Sequence, residues 1–106
     1  VIITTTESIS DKRIVETLGL VRGNSIRATH WGHDLMAKVK NMVGGEIAEY
    51  TKLMAEAREQ AIDRMTAEAS RLGGDAVIAV RFTTSQLMNG AAELLVYGTA
   101  VKTEEV

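Results

Sequence analysis

Three observations predict an α+β fold, an antiparallel sheet backed by one long helix. The stretch from Glu46 to Leu72 contains no glycine or proline and few β-branched residues, and its apolar residues recur at helical spacing. Two strand-like stretches, DAVIAVRFTTSQL and AAELLVYGTAV, flank Asn89-Gly90, the dipeptide that suits a type I′ hairpin turn. The β-branched N-terminus VIITTT supplies further strand, ahead of residues 13–29. At 106 residues the chain forms a single domain, 1–106, whose core must be thin. Aromatic residues make up 4%, so Ile, Val, Leu, Met and Ala must build that core.

Taken in order, residues 1–6 read as a strand and ESISDK as a turn. Residues 13–29 have strand character broken by Gly19 and Gly23, which fits a bulged strand or a hairpin. Residues 34–43 change period: Leu35, Val39 and Met42 fall on one side behind Asp34, a suitable N-cap, and predict a short helix. After Gly44-Gly45 comes the long helix, 46–72. Its stripe comprises Tyr50, Met54, Ala57, Ala61, Met65, Glu68 and Leu72, with Ile47, Leu53 and Ala69 beside it. At roughly 40 Å it is too long for a small sheet to cover. Gly73-Gly74 ends it.

A two-residue turn at 89–90 sets a register in which Phe82 faces Tyr97, Val80 faces Thr99 and Ile78 faces Val101. One sheet face then holds Ile78, Val80, Phe82, Leu95, Tyr97 and Val101. The other holds Val77, Ala79, Leu94, Val96, Gly98 and Ala100, with Arg81. Both are largely apolar, and one helix covers only one. The second face calls for another subunit, and a closed ring of identical chains avoids open-ended filaments.

The formal net charge is −2 and no basic run exceeds Lys12-Arg13, which argues against nucleic acid as a partner. The absence of cysteine removes disulfides, thiolate nucleophiles and sulfur-rich metal sites. No stretch reads as a signal peptide or a membrane span, so the expectation is a cytoplasmic protein that engages no membrane.

The densest chemistry lies in RATHWGHDL, where His30, His33 and Asp34 are the candidate metal ligands. Gly32 and the strand-to-helix setting do not hold the two imidazoles on one face as helical i,i+4 spacing does. No cofactor is expected, and a metal site is the less favoured reading, unless several copies of the stretch converge on a symmetry axis. Gly44-Gly45-Glu46 has the form of an anion loop at a helix N-terminus. However, Glu46 already supplies negative charge there and the phosphate-binding lysine is missing, so a tight turn is the simpler reading. Asp34, Glu46, Glu49, Tyr50 and the histidines are the available acids and bases. No serine sits in a nucleophile motif, so no catalytic residue is assigned. The five methionines read as core filler.

Together IITTT at 2–6, NMVGGEIAEYTKL at 41–53, EARE at 56–59, GGDAVIAVRF at 73–82 and YGTAV at 97–101 resemble the YbjQ-like family across essentially the whole chain. The resemblance implies a subunit similar to that of dodecin, assembled as a homopentamer. It also brings the family's heavy-metal-binding label, with no assigned biochemical role. Soft metals favour thiolates, which this chain lacks. Members tend to carry Gly-Arg-Asp where this sequence has Gly32-His33-Asp34, so Asp34 carries over and His33 does not.

The combined expectation is a homo-oligomeric binding or scaffold protein, with a small-ligand site between subunits near Asp34, Gly44, Gly45, Glu46 and Tyr50. A metal- or oxyanion-sequestering protein is the alternative.

Overall fold

The computed structural model describes residues 1–28, 48–88 and 91–106. Its elements are β1 (Ile2–Ile3), β2 (Lys12–Ala28), α1 (Ala48–Arg71), β3 (Ala76–Met88) and β4 (Ala91–Glu105). They form one four-stranded sheet, in the order β1-β3-β4-β2, and a helix laid on one side of it.

The sheet is mixed, which corrects the expectation of a purely antiparallel one. β4 pairs antiparallel with both β2 and β3, but β1 lies parallel to β3. The chain leaves β1 at one edge and begins β2 at the other, so β1 never forms a hairpin with a neighbour. The predicted strand 1–6 does follow β3 beyond Ile3: Thr4 N–H donates to Val77 O (3.0 Å) and Ala79 N–H to Thr6 O (2.9 Å). Regular pairing stops there because β3 bulges at Ala79, whose φ is 54°.

β2 is one continuous strand, paired with β4 along its whole length. That rules out a hairpin within residues 13–29. Bulges at Ile14/Glu16 and Thr17/Gly19 absorb one extra residue each. Beyond them the alternation is strict: Val21, Gly23 and Ser25 point inward, and Arg22, Asn24 and Ile26 outward.

Met88 pairs with Ala91, as a two-residue connection requires; Asn89 and Gly90, like the predicted short helix at 34–43, lie outside the described residues. The register expected from that turn then fails twice. A shift between Gln86 and Met88 moves Phe82 opposite Val96 instead of Tyr97. The second shift, between Ile78 and Arg81, leaves Val80 in the bulge and Ile78 opposite Thr99 instead of Val101. The two faces are corrected accordingly. Val77, Val80 and Phe82 share the helix side with Leu94, Val96 and Ala100, while Ile78 and Arg81 share the other with Leu95 and Tyr97.

α1 ends as its glycines predict. Gly73, at φ 84°, donates to Ser70 O (3.0 Å), and Gly74 donates to Ala69 O (2.9 Å), which satisfies two carbonyls of the last turn. Ala57, Ala61, Met65 and Ala69 are buried, with Met54 and Ile62 at the margin of the core. Ala61, Met65 and Ala69 pack on Val21, Val77, Val80, Leu94, Val96 and Ala100. The predicted stripe is corrected at its C-terminal end, where Leu72 is 46% exposed and Ala69 takes the inward position. Nor is the helix overlong: its 24 residues span about 36 Å, against about 56 Å for the 17 residues of β2.

Small residues bring the two layers close together. A Cβ on Gly23 would collide with the carbonyl oxygen of Ala61 and come within 2.6 Å of Met65 N. The helix therefore sits on β2 and β4 and scarcely reaches β3, where Phe82 stays exposed. At the opposite end the Asp75 carboxylate accepts the N–H (3.0 Å) and hydroxyl of Thr103. Lys12 pairs with Glu105 (2.6 Å), and this hydrogen bond raises the pKa of the ammonium. No helix among the described residues is long and apolar enough to cross a membrane.

Candidate functional site

The segment singled out in the sequence leaves the described frame at Ala28 and rejoins it at Ala48. Ala28 pairs with Ala91, beside the β3–β4 connection. α1 runs antiparallel to β2, as the contacts of Gln60 with Ser25 and of Ala61 with Gly23 show, so its first turn lies toward the same end. His30, His33, Asp34, Gly44, Gly45 and Glu46 fall between these anchors, outside the described residues; Tyr50 belongs to the start of α1. Among the described residues no group of three or more His, Cys, Asp or Glu could hold a metal ion.

This end of the helix–sheet seam is polar. Ser25 is buried, and its hydroxyl donates to Gln60 Oε1 at 2.8 Å, so the group meets its hydrogen-bonding requirement inside the layer. Arg64 reaches over the strand and donates from Nη1 to Asn24 O at 2.6 Å. Two positions beyond Ser25 on β2, the Nε of Arg27 is buried and has no hydrogen-bond acceptor among the described residues. A buried donor of this kind marks a place where an acceptor from a ligand or a second chain gains most. Sequence reasoning missed Ser25, Arg27 and Gln60. The available signal was two polar residues continuing the inward phase of Val21 and Gly23, which is readable only once the inward phase of β2 is fixed.

The side of the sheet away from the helix carries the second notable surface. Leu20 is 66% exposed, Ile26 56% and Tyr97 38%, with Leu95 half-buried between them. One rung of this face aligns Arg22, Tyr97 and Arg81 across three strands. Arg81 Nη1 donates to the carbonyls of Thr5 (3.0 Å) and Val80 (2.9 Å), and Asn24 donates to Glu93 Oε2 (3.3 Å). Guanidinium donors, a phenol and aliphatic surface are groups for recognition, and their arrangement in rungs suits a broad partner.

Comparison with known proteins places this frame among relatives. Residues 1–104 match the family model YbjQ_1, described as "Putative heavy-metal-binding". A UPF0145 protein of Archaeoglobus fulgidus is 58% identical over 102 residues, covering 96% of this chain and 94% of that one. A UPF0145 protein of Methanosarcina acetivorans is 54% identical over 101 residues, covering 95% of each. The fold is also similar to a crystal structure from Pediococcus pentosaceus, a protein of unknown function in the DUF74 family. That structure has a TM-score of 0.60 and 20% identity, with 96% of each chain covered. With a family model spanning nearly all of its length and relatives more than half identical, the chain belongs to the YbjQ_1, or UPF0145, family.

Proposed function

We propose that the protein is a homo-oligomeric binding or scaffold protein, five copies closed into a ring of dodecin-like subunits. The observation that carries this reading is the uncovered sheet face. Leu20, Ile26, Leu95 and Tyr97 expose apolar surface, interleaved with Arg22, Asn24 and Arg81, on the side the helix does not reach. The accessible surface of the chain is 6932 Å², against about 5,800 Å² for a compact monomer of this mass. Burying the apolar part of this surface between subunits returns roughly 25 cal/mol per Å², a supplement to a thin core. The layered helix-on-sheet subunit and the family membership support the same reading.

A small-ligand site at the subunit boundary, near Asp34, Gly44, Gly45, Glu46 and Tyr50, belongs to this proposal. It is supported by Ala28 and Ala48, which lie toward the end of the seam where the buried Arg27 Nε has no acceptor among the described residues. The proposed protein is cytoplasmic, has itself as its main partner, engages neither nucleic acid nor membrane, and has no resident cofactor or defined catalytic activity. Sedimentation of the wild type beside Leu95→Asp tests it: a ring for the first and a smaller folded species for the second is the expected result. Two folded monomers would refute the reading.

The family description favours a second reading, in which the protein sequesters a heavy metal with His30, His33 and Asp34 as the candidate ligands; sequestering an oxyanion is the other form of this alternative. Elemental analysis of protein purified without a histidine tag separates the two. The first reading expects no stoichiometric metal. One zinc, copper or nickel per subunit, lost in the double variant His30→Ala/His33→Ala, establishes the second.

A further inference from the structure

The solvent side of α1 carries three exposed carboxylates, Glu56, Glu59 and Asp63. At about 100° per residue they fall within about 60° of one another, opposite the buried row of Ala57, Ala61 and Met65. Glu56/Glu59 at i,i+3 and Glu59/Asp63 at i,i+4 are like-charge neighbours, a spacing that works against the helix that carries it. Among the described residues none of the three is in an ion pair, and Lys52, one turn before Glu56, forms none with it. The pairs found are Lys12–Glu105 and Arg13–Glu104, at the other end of the sheet. A local preference violated without a local gain is the mark of a group used elsewhere.

The helix-free face has the opposite character. Arg22 and Arg81 flank Tyr97 on one rung, and neither is paired with a carboxylate among the described residues. The acceptors of Arg81 are neutral carbonyls. Glu93, two rungs away on β4, is engaged with Asn24.

We propose that the acidic stripe of one copy docks across the Arg22–Tyr97–Arg81 rung of the next. The spacings match. Strands about 4.8 Å apart place the two arginines about 10 Å apart, and Glu56 and Asp63, two turns apart, are also about 10 Å apart along the helix axis. A helix crossing the strands thus sets a carboxylate over each arginine position of the rung and Glu59 between them over Tyr97, with Leu20 and Leu95 closing against the helix flank. One chain cannot make this contact with itself, since its stripe and its rung lie on opposite sides of the same two layers. The contact is therefore head-to-tail, the kind that must close into a ring or grow into a filament.

The docking rests on the assembly reading and names its surfaces. It is tested by light scattering across a range of protein concentrations at low salt, on Glu56→Arg, Asp63→Arg and Arg22→Glu, and on Arg22→Glu combined with each of the other two. Circular dichroism confirms folding, and the neutral variants Glu56→Gln, Asp63→Asn and Arg22→Gln replace any variant that does not fold. Each single reversal is expected to raise the concentration needed for assembly at least tenfold. One of the two combinations is expected to recover most of that loss, and which one recovers gives the direction in which the helix crosses the strands. Added salt is expected to weaken the wild-type assembly. Single variants that assemble like the wild type overturn the docking while leaving the oligomer intact, as does recovery in neither combination. A monomeric wild type removes the assembly reading itself.

Discussion

Gly23 is the residue on which the layering depends most. Its inward position lies directly beneath Ala61 and Met65, and backbone atoms of the helix occupy the space of a side chain. Gly23→Ala is expected to lift α1 from β2 and cost about 3 kcal/mol or more, read as a lower urea midpoint. An unchanged midpoint would mean that the helix rides farther from the sheet than the structure places it. Met65 is fully buried at the centre of the same contact, and Met65→Ala should cost about 2–5 kcal/mol through the cavity it leaves. Asp75 is exposed, but its carboxylate ties the start of β3 to the N–H and hydroxyl of Thr103. Asp75→Ala is expected to lose only about 1–2 kcal/mol in the same titration. A loss as large as that of Gly23→Ala would contradict the ranking of burial over surface hydrogen bonds.

Among the elements, those with strong local signals were legible. The long helix could be read because nothing within 48–71 breaks it and Gly73-Gly74 stops it. β2 could be recognised as strand but not as a single one, since glycines suggest a turn as readily as a close approach, and only the helix lying over Gly23 distinguishes them. The β3–β4 register was legible at the tip alone. A turn fixes pairing next to itself, but each bulge adds an unpaired residue, and no residue type along β3 announces that Ala79 takes φ 54°. The parallel pairing of β1 was invisible because it depends on where the chain arrives after β2. Of the proposed site, Asp34, Gly44, Gly45 and Glu46 lie outside the described residues, and the polar seam of Ser25, Arg27 and Gln60 went unread because inward phase is a property of the whole sheet. The corrected faces yield a paired prediction on β4. Leu94 points into the core, so Leu94→Asp is expected to unfold the subunit. Leu95 points to the helix-free face, so Leu95→Asp should leave circular dichroism unchanged and weaken assembly. The reverse pattern would mean that the bulge-shifted faces are wrong.

On the scale of the whole molecule, the chain is a thin layered slab. Its principal extents are 55 × 25 × 15 Å and its radius of gyration is 17.3 Å, against about 13 Å for a compact domain of this length. A slab this thin has one interior, between helix and sheet, and leaves apolar residues of its second sheet face exposed. The exposed Leu20, Ile26 and Tyr97, the arginines beside them and the unbalanced carboxylates on α1 all find a use if copies stack face to helix. The central claim is therefore that this protein works as an assembly of itself. Light scattering on a size-exclusion column, with wild-type protein at micromolar concentration, tests it most directly. A single species near five times 11.5 kDa is the predicted result, and a well-folded species at 11.5 kDa would contradict it.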